Sequence, residues 1–384
     1  MKIPYGRQWI EDDDIESVVK VLKGDWLTQG PTIEEFELAF SNFVNCKFSV
    51  AFNSGTSALH GAMFAAGVKP GDEIITSPIT FVASANCGAY IGAKPVLADI
   101  DLNTYCIAPK EIQKAITTKT KAIVPVDLAG YPIDLEPINK LAKEKGIIII
   151  EDAAHALGAK RQGKLVGTQA DMTMFSFHPV KHITTAEGGI ITTNNEEYAE
   201  RLKLFRSHGI TKDPNKLRKN DGPWYYEMQA LGFNYRITDM QCGLGVSQLK
   251  KAEKFINRRI QLADRYDEAF KNNSMIQTPP RLKEKVSRHV FHIYPILLDK
   301  SLDRKEIFIK LREKGIFCQV HYIPIHHQPY YQEQFNYKNN QFPKANEYYH
   351  REITIPLFPK MTDEEQTYVI EKINELTGYK KYDC

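Results

Sequence analysis

The chain has 384 residues, 50 basic and 47 acidic side chains and a formal net charge of +3. This balance gives no indication of a general nucleic-acid binder, and no apolar run approaches the roughly 20 residues that span a bilayer. The 42% hydrophobic and 25% charged fractions are ordinary for a globular protein. The six cysteines are scattered without a Cys-x-x-Cys pair, so we expect reduced thiols, most of them buried. The N-terminus lacks the apolar core of a signal peptide, and we expect a cytoplasmic protein.

Segments typical of strands and helices alternate through the first half of the chain. Helices are predicted at 15–22, 32–45, 57–67, 80–90, 109–116 and 134–145, and strands at 48–52, 73–76, 95–99, 122–126, 147–152, 172–177 and 190–193. The continuous apolar run at 147–150 fits a strand buried on both faces. This alternation predicts an α/β fold with a mostly parallel sheet covered by helices. In such sheets ligands bind at the carboxyl ends of the strands.

The pattern changes after about residue 195. A helix at 196–207, a polar loop at 212–226 and a compact turn at 232–236 precede one long predicted helix over 238–272. Strands at 292–298 and 317–321, helices at 304–314 and 362–376, and an aromatic loop over 322–342 follow. We therefore predict an N-terminal arm and large domain over 1–240. A bridging helix and a smaller α/β domain would occupy 241–384.

Lys181 lies on a loop between two predicted strands. Met172 to Phe177 alternates as a strand does, and Gly188-Gly189 indicates a turn before the next strand. An amine held in such a place can form a Schiff base with one fixed carbonyl group. Taken alone, this stretch is more simply interpreted as a loop with a surface lysine. The choice between a surface lysine and a Schiff-base lysine therefore depends on other residues.

The segment Asn53-Ser54-Gly55-Thr56-Ser57 has the strand–turn–helix form that binds phosphate. Backbone N–H groups at a helix start, together with the hydroxyls of Thr56 and Ser57, can hold a dianion. A plain helix cap explains the same residues equally well. Neither a dinucleotide-binding nor a P-loop glycine signature is present in the sequence.

Asp152 ends the predicted strand at 147–152. Its carboxylate can pair with a protonated ring nitrogen of a ligand, or it can simply cap a helix. A pyridoxal phosphate enzyme needs a Schiff-base lysine, an acidic partner for the pyridinium nitrogen and a phosphate cup. Lys181, Asp152 and the Gly55–Ser57 segment supply one of each, and this combination is far more specific than any single member.

Other side chains have both a chemical and a structural interpretation. Phe81 can stack on a flat ring or fill the core, and His155 can contact that ring or be an interior histidine with satisfied hydrogen bonds. The histidines at 321, 326 and 327 occur without a His-Glu-x-x-His or Cys/His cluster, so we predict no metal site. The sequence also contains no Gly-x-Ser-x-Gly motif of a hydrolase.

The chain resembles the DegT/DnrJ/EryC1/StrS family of sugar aminotransferases. The segments that carry the resemblance are Trp26-Leu27-Thr28-Gln29-Gly30, Asn53-Ser54-Gly55-Thr56-Ser57-Ala58-Leu59, Glu151-Asp152-Ala153-Ala154-His155, Ser176-Phe177-His178-Pro179-Val180-Lys181, Glu187-Gly188-Gly189 and Gly232-Phe233-Asn234-Tyr235-Arg236. They extend from the N-terminal arm to the predicted domain bridge.

The resemblance implies a fold-type-I pyridoxal phosphate fold and a homodimer with shared active sites. Lys181 would form the Schiff base and Asp152 would pair with the pyridine nitrogen. The phosphate would be held by Thr56, Ser57 and Ser176, and by Asn234 of the neighbouring subunit. Phe81 matches the aromatic residue that stacks on the ring.

Within the family, the stretch from Ser176 to Thr185 is similar to members acting in pseudaminic acid biosynthesis. These members move the amino group of glutamate to C4 of a UDP-linked 4-keto-6-deoxy-N-acetyl-L-hexosamine. His155 agrees, since members acting at C4 tend to carry His there and those acting at C3 tend to carry Gln. Ala186 departs from the family, where close relatives often have Gly; the change is harmless unless the position needs a positive φ.

The sequence indicates the substrate-binding residues less specifically than the cofactor-binding residues. The cations Arg7 and Arg236, and the loop 212–226, are candidates for the UDP pyrophosphate. His321 and Tyr322 are candidates for the sugar pocket, although ordinary packing explains their loop equally well. Three alternatives remain open: a transaminase for another UDP- or dTDP-linked 4-keto sugar, a dehydratase relative that lacks the lysine, and a regulatory protein that binds the cofactor without turnover. Lys181 argues against the dehydratase.

Overall fold

The structure of the protein, a computed structural model, describes residues 1–379. Its strands are β1 (Ile3–Pro4), β2 (Phe48–Phe52), β3 (Glu73–Thr76), β4 (Lys94–Leu97), β5 (Thr120–Val124), β6 (Ile148–Asp152), β7 (Lys160–Arg161), β8 (Lys164–Leu165), β9 (Met172–Ser176), β10 (Gly189–Thr193), β11 (Ile210–Thr211), β12 (Glu227–Met228), β13 (Ile276–Gln277), β14 (Tyr294–Leu298), β15 (Ile316–Phe317) and β16 (Glu352–Ile355).

The helices enclose these strands. They are α1 (Asp12–Leu22), α2 (Pro31–Val44), α3 (Gly55–Ala65), α4 (Ala83–Tyr90), α5 (Pro109–Ala115), α6 (Glu136–Lys145), α7 (Glu196–Arg206), α8 (Asp239–Lys250), α9 (Ala252–Phe270), α10 (Arg304–Glu313), α11 (Pro329–Phe335), α12 (Pro343–Arg351) and α13 (Asp363–Leu376). Short 3-10 turns lie at Leu128–Gly130 and Ile325–His327.

A seven-stranded sheet with the order β2-β10-β9-β6-β5-β3-β4 forms the centre of the molecule. Only β10 runs against its neighbours, pairing antiparallel with β2 and β9. The predicted mostly parallel sheet is therefore confirmed. Because the other strands run in the same direction, the carboxyl ends of β2, β6 and β9 lie along one edge.

Small residues let α3 lie close to this sheet. Ala58, Leu59, Ala62 and Met63 are fully buried, and a Cβ added at Gly61 would lie 2.8 Å from the Phe52 ring. Each large apolar side chain buried in this way contributes about 1.5–3 kcal/mol. The packing fixes the beginning of α3 against the ends of β2 and β9.

A second core lies in the C-terminal part of the chain. The antiparallel sheet β13-β14-β16 packs with α9, α10 and α13 around one apolar cluster. Ile3 is also buried in that cluster, because β1 pairs in parallel with β15. The N-terminal arm is thus tied to the C-terminal part. The division at residue 240 stays a prediction.

Several predicted elements were wrong in detail. The long helix over 238–272 is two helices, separated at Lys251, whose amine forms ion pairs with Glu11, Asp13 and Asp14. The predicted loop over 322–342 contains α11, and α12 and β16 were not predicted. The helix predicted at 80–90 begins only at Ala83, and the strand predicted at 317–321 is limited to β15.

Of the cysteines in residues 1–379, Cys46 is partly buried, and Cys87, Cys106, Cys242 and Cys318 are buried, all as free thiols. Reduced, mostly buried cysteines were predicted; Cys384 lies outside the described residues. No helix in the described part of the chain is long and apolar enough to cross a membrane.

Candidate active site

A cavity of about 770 Å³ opens at the carboxyl ends of β2, β6 and β9. Most of the residues predicted for the site line it together: Gly55, Thr56, Phe81, Asp152, His155, Ser176, Lys181, His321 and Tyr322. They come from distant parts of the sequence, and the parallel sheet brings them to one place.

Lys181 follows β9 on a loop with several internal hydrogen bonds. Its backbone N–H donates to His178 O (2.9 Å), and the Thr184 hydroxyl donates to Phe177 O (2.9 Å). The pKa of the Lys181 amine is lowered to about 8, chiefly by burial and also by the positive charge of Arg259, whereas Asp152 raises it. About one-tenth of this amine is therefore neutral at pH 7, in the form that a nucleophile or base needs.

Asp152 is buried at the end of β6 and accepts two hydrogen bonds. The Ser84 hydroxyl donates to Oδ2 (2.5 Å), and the Ala154 N–H donates to Oδ1 (3.1 Å). Burial raises the pKa of Asp152, whereas these two donors and Lys181 lower it. The Thr80 hydroxyl lies 2.7 Å from Ser84 Oγ. Since Ser84 gives its proton to Asp152, Thr80 is the donor in that pair.

The phosphate cup lies at the start of α3. Gly55 and Thr56 are the first residues of the helix, whose first-turn N–H groups lack intrahelical partners. Gly189 is needed beside them, because a Cβ at this position would lie 2.6 Å from Gly55 N and Cα. Ser57 differs from the prediction: its hydroxyl donates to Asn53 Oδ1 (2.6 Å) and its N–H donates to Ser54 Oγ. Ser57 is thus used in the helix cap and does not line the cavity.

Aromatic side chains form one wall. Phe81 is 58% exposed and lines the cavity, which rules out the core-filling interpretation. The Phe81 ring centre lies 6.1 Å from that of Tyr322. An exposed aromatic face in this position suits stacking on a flat ligand ring.

His155 is held in one tautomer. Its Nδ1 accepts from the Ala129 N–H (3.3 Å), so the proton of the neutral ring lies on Nε2, which donates to Tyr322 Oη (3.1 Å). Burial keeps the pKa of His155 well below its usual value, so the ring is neutral. The proton of the Tyr322 hydroxyl then remains available for a group in the cavity.

His321 is oriented by two residues of β16. Its backbone N–H donates to Glu352 Oε2 (2.9 Å) and its Nδ1 lies 2.9 Å from Thr354 Oγ1. The Thr354 hydroxyl donates to Glu352 Oε1 (2.6 Å). With Glu352 as the acceptor of that bond, Nδ1 of His321 donates to Thr354, which leaves Nε2 of the neutral ring as a hydrogen-bond acceptor.

Besides Ser57, three predicted residues lie outside this cavity. Arg7 lies beside a small hollow behind Lys181 and His182. Arg236 lines a separate surface pocket of about 430 Å³ with Gln29 and Arg206. Asn234 is exposed. The roles proposed for these residues stay predictions. Arg7 shares the small hollow with Lys181, whereas Arg236 and Asn234 line neither that hollow nor the cavity.

No role in the site was predicted for several residues that the structure places there. Tyr5 of the N-terminal arm, His178, Glu187 and His292 line the cavity, and Ser84 and Thr354 orient residues that line it. No local pattern could have identified Ser84, since its partner Asp152 is 68 positions away. The described residues contain no group of three or more potential ligands that could hold a metal ion.

These residues fit pyridoxal phosphate. The neutral amine of Lys181, the hydrogen-bonded carboxylate of Asp152 and the free N–H groups at the start of α3 match the aldehyde, ring nitrogen and phosphate of that molecule. Fold and site together define an α/β enzyme of the pyridoxal phosphate class.

Comparisons with known proteins agree. Residues 8–374 match the model of the DegT/DnrJ/EryC1/StrS aminotransferase family. The chain is 43% identical over 379 residues to the uncharacterized protein MJ1066 of Methanocaldococcus jannaschii, with 98% of both chains covered. It is 38% identical over 374 residues to the UDP-4-amino-4,6-dideoxy-N-acetyl-beta-L-altrosamine transaminase of Campylobacter jejuni, covering 96% of this chain and 95% of the relative.

A solved structure is similar along the whole chain. Helicobacter pylori PseC, an aminotransferase involved in the biosynthesis of pseudoaminic acid, superimposes with a TM-score of 0.91 at 36% identity, covering 98% of this chain and 100% of that one. The protein belongs to the DegT/DnrJ/EryC1/StrS aminotransferase family. It is a sugar aminotransferase with the fold-type-I architecture, and the cofactor of this family is pyridoxal phosphate.

Proposed function

We propose that the protein moves the amino group of L-glutamate to C4 of a UDP-linked 4-keto-6-deoxy-N-acetyl-L-hexosamine, a step of pseudaminic acid biosynthesis. The observation that carries the chemistry is the meeting of Lys181, Asp152 and the start of α3 in one cavity. The choice of sugar is supported by the similarity to the Campylobacter and Helicobacter enzymes and by His155.

Lys181 is the residue that moves protons. It takes a proton from the α-carbon of the amino donor and later delivers one to C4 of the sugar. Its lowered pKa, about 8, suits both roles, because a base works best with a pKa near the working pH. Bound pyridoxal phosphate supplies the carbonyl carbon that carries the amino group and the ring that takes up negative charge.

Asp152 maintains a positive charge on the ring nitrogen by remaining ionised, which the donors Ser84 and Ala154 favour. Phe81 would stack on the ring, and Thr56 and Ser176 would hold the phosphate. Tyr322, as a donor, and His321, as an acceptor, are placed to bind hydroxyl or amide groups of the sugar.

The proposal includes a homodimer with shared active sites. Apolar side chains near Asn234 are exposed in the single chain: Met228, Leu231, Phe233 and, on the N-terminal arm, Trp26 and Leu27. Exposed apolar groups of this number favour burial in a protein interface. In the dimer Asn234 would reach the partner's phosphate, and Arg7, Arg236 or the loop 212–226 would bind the UDP pyrophosphate.

The substrate is tested with a panel of 4-keto nucleotide sugars, UDP- and dTDP-linked and of both ring configurations, with glutamate as donor. We expect the UDP-linked L-configured sugar to give the highest kcat/KM. A higher kcat/KM with another sugar would show that the proposed substrate is wrong, and the protein would still be a transaminase. A protein that binds the cofactor but does not react with glutamate would instead be a regulatory relative.

Lys181→Ala is the matched test of the chemistry. We expect it to bind the cofactor without the visible absorption of the lysine-linked form and to lose transamination. Full transaminase activity in this variant would refute the role of Lys181.

A further inference from the structure

Arg259 is a fully buried cation behind the lysine loop. It lies in α9 with no exposed surface. Its Nη1 donates to His292 O (2.8 Å) and Leu357 O (3.0 Å), and its Nη2 donates to Val180 O (3.3 Å). One side chain therefore ties together three segments, and one of them is the backbone immediately before Lys181.

The charge of Arg259 is not neutralised. All its hydrogen-bond partners among residues 1–379 are backbone carbonyls. Burial lowers the pKa of this guanidinium to about 9, so it stays protonated at neutral pH. The adjacent Arg258 differs, since its Nη2 pairs with Asp363 Oδ1 at 2.7 Å. A buried cation without a carboxylate is costly, and its retention beside the site calls for a reason.

We propose that Arg259 is a positioning residue for the lysine chemistry: it fixes the Val180–Lys181 backbone, and its unpaired buried charge favours the neutral amine of Lys181. The inference rests on the proposed role of Lys181 as the base.

The surroundings of Lys181 contain few competing charges. The titratable groups facing it from the elements packed around the site are Tyr5, Arg7, Asp152, His155, His178, His182, Glu187, Arg259, His292, His321 and Tyr322. Burial holds the pKa values of His155, His182 and His292 well below the usual value, so these rings are neutral. Asp152 and Arg259 are the charges that act on Lys181, with opposite sign.

The test measures the amine directly on the full-length chain before cofactor is added. Trace acetylation with acetic anhydride, followed by mass spectrometry of the Lys181 peptide across pH 6–10, reports the fraction of neutral amine. We expect Arg259→Met to raise the pKa of Lys181, so that labelling at pH 7 falls about three- to tenfold. Arg259→Lys retains the charge, and Arg258→Met removes a nearby charge that is already paired. In both variants, the acetylation of Lys181 should depend on pH as it does in the wild type.

An unchanged Lys181 titration in folded Arg259→Met would overturn the proposal, and so would an equal rise in Arg259→Lys. Circular dichroism checks folding, and Arg259→Gln, which keeps one donor for the carbonyls, replaces the Met variant if that variant does not fold. The holoenzyme provides a second readout: the pH midpoint of its visible band should rise in the charge-removing variants. Because the labelling needs neither cofactor nor sugar, failure of the proposed substrate would leave this result intact.

Discussion

The hydrogen bond from Ser84 to Asp152 predicts a measurable loss of cofactor affinity in Ser84→Ala. The Ser84 hydroxyl is fully buried and lies 2.5 Å from Asp152 Oδ2. A hydrogen bond to a charged group is worth about 1.5–3 kcal/mol. Its removal should therefore raise the pKa of Asp152 and weaken its ion pair with the ring nitrogen.

The dissociation constant for pyridoxal phosphate, measured by quenching of intrinsic fluorescence at pH 7.5, should rise about 10- to 100-fold in Ser84→Ala. Thr80→Val, which removes only the donor to Ser84, should give a smaller rise. The control is Ser17→Ala, because the Ser17 hydroxyl also makes one partly buried hydrogen bond (2.7 Å to Gly243 O) but lies far from the cavity. Wild-type affinity in Ser84→Ala, or an equal loss in Ser17→Ala, would refute this reasoning.

Three further changes have expected outcomes. Thr354→Val removes the hydrogen-bond partner of His321 Nδ1 and should raise the KM for the keto sugar roughly three- to tenfold, with a smaller change in kcat. An unchanged KM would show that His321 does not bind the sugar. Ala186 has a φ of 66°, so Ala186→Gly should relieve about 1–2 kcal/mol of backbone strain, offset in part by glycine's entropy, and a lower urea midpoint would contradict this. Burial raises the pKa of Glu151 to about 7, above its unfolded value. The stability that its protonated form provides is thus lost as the pH rises through about 7. The free energy of unfolding of Glu151→Gln should therefore increase relative to that of the wild type between pH 5 and 8. A constant difference would show that Glu151 does not titrate there.

Local patterns predicted the central sheet and the residues at its edge. Alternation and continuous apolar runs identify β2, β6 and β9, and the residues that end these strands converge because parallel strands share a direction. Ala186 stands where close relatives often have Gly, which raised the possibility of a positive φ at this position. The structure has a positive φ there.

The missed elements have identifiable causes. Pro329 and Pro343 made the aromatic segment resemble a loop, yet both occupy the first position of a helix, where proline is favourable. The long helix divides at Lys251, whose ion pairs are with acidic residues about 240 positions away, and no local pattern in the sequence indicates such contacts. The contacts of Ser84, Arg259 and Thr354 are likewise tertiary, so no periodicity in the sequence marks them.

The central claim is that Lys181 is the one lysine that carries the cofactor. The full-length protein is incubated with pyridoxal phosphate, reduced with sodium borohydride, digested and mapped by mass spectrometry. We predict one pyridoxyl group per chain, on Lys181, and its absence when glutamate is added before the reduction. A label on another lysine, or a label on Lys181 that glutamate does not remove, would contradict the account.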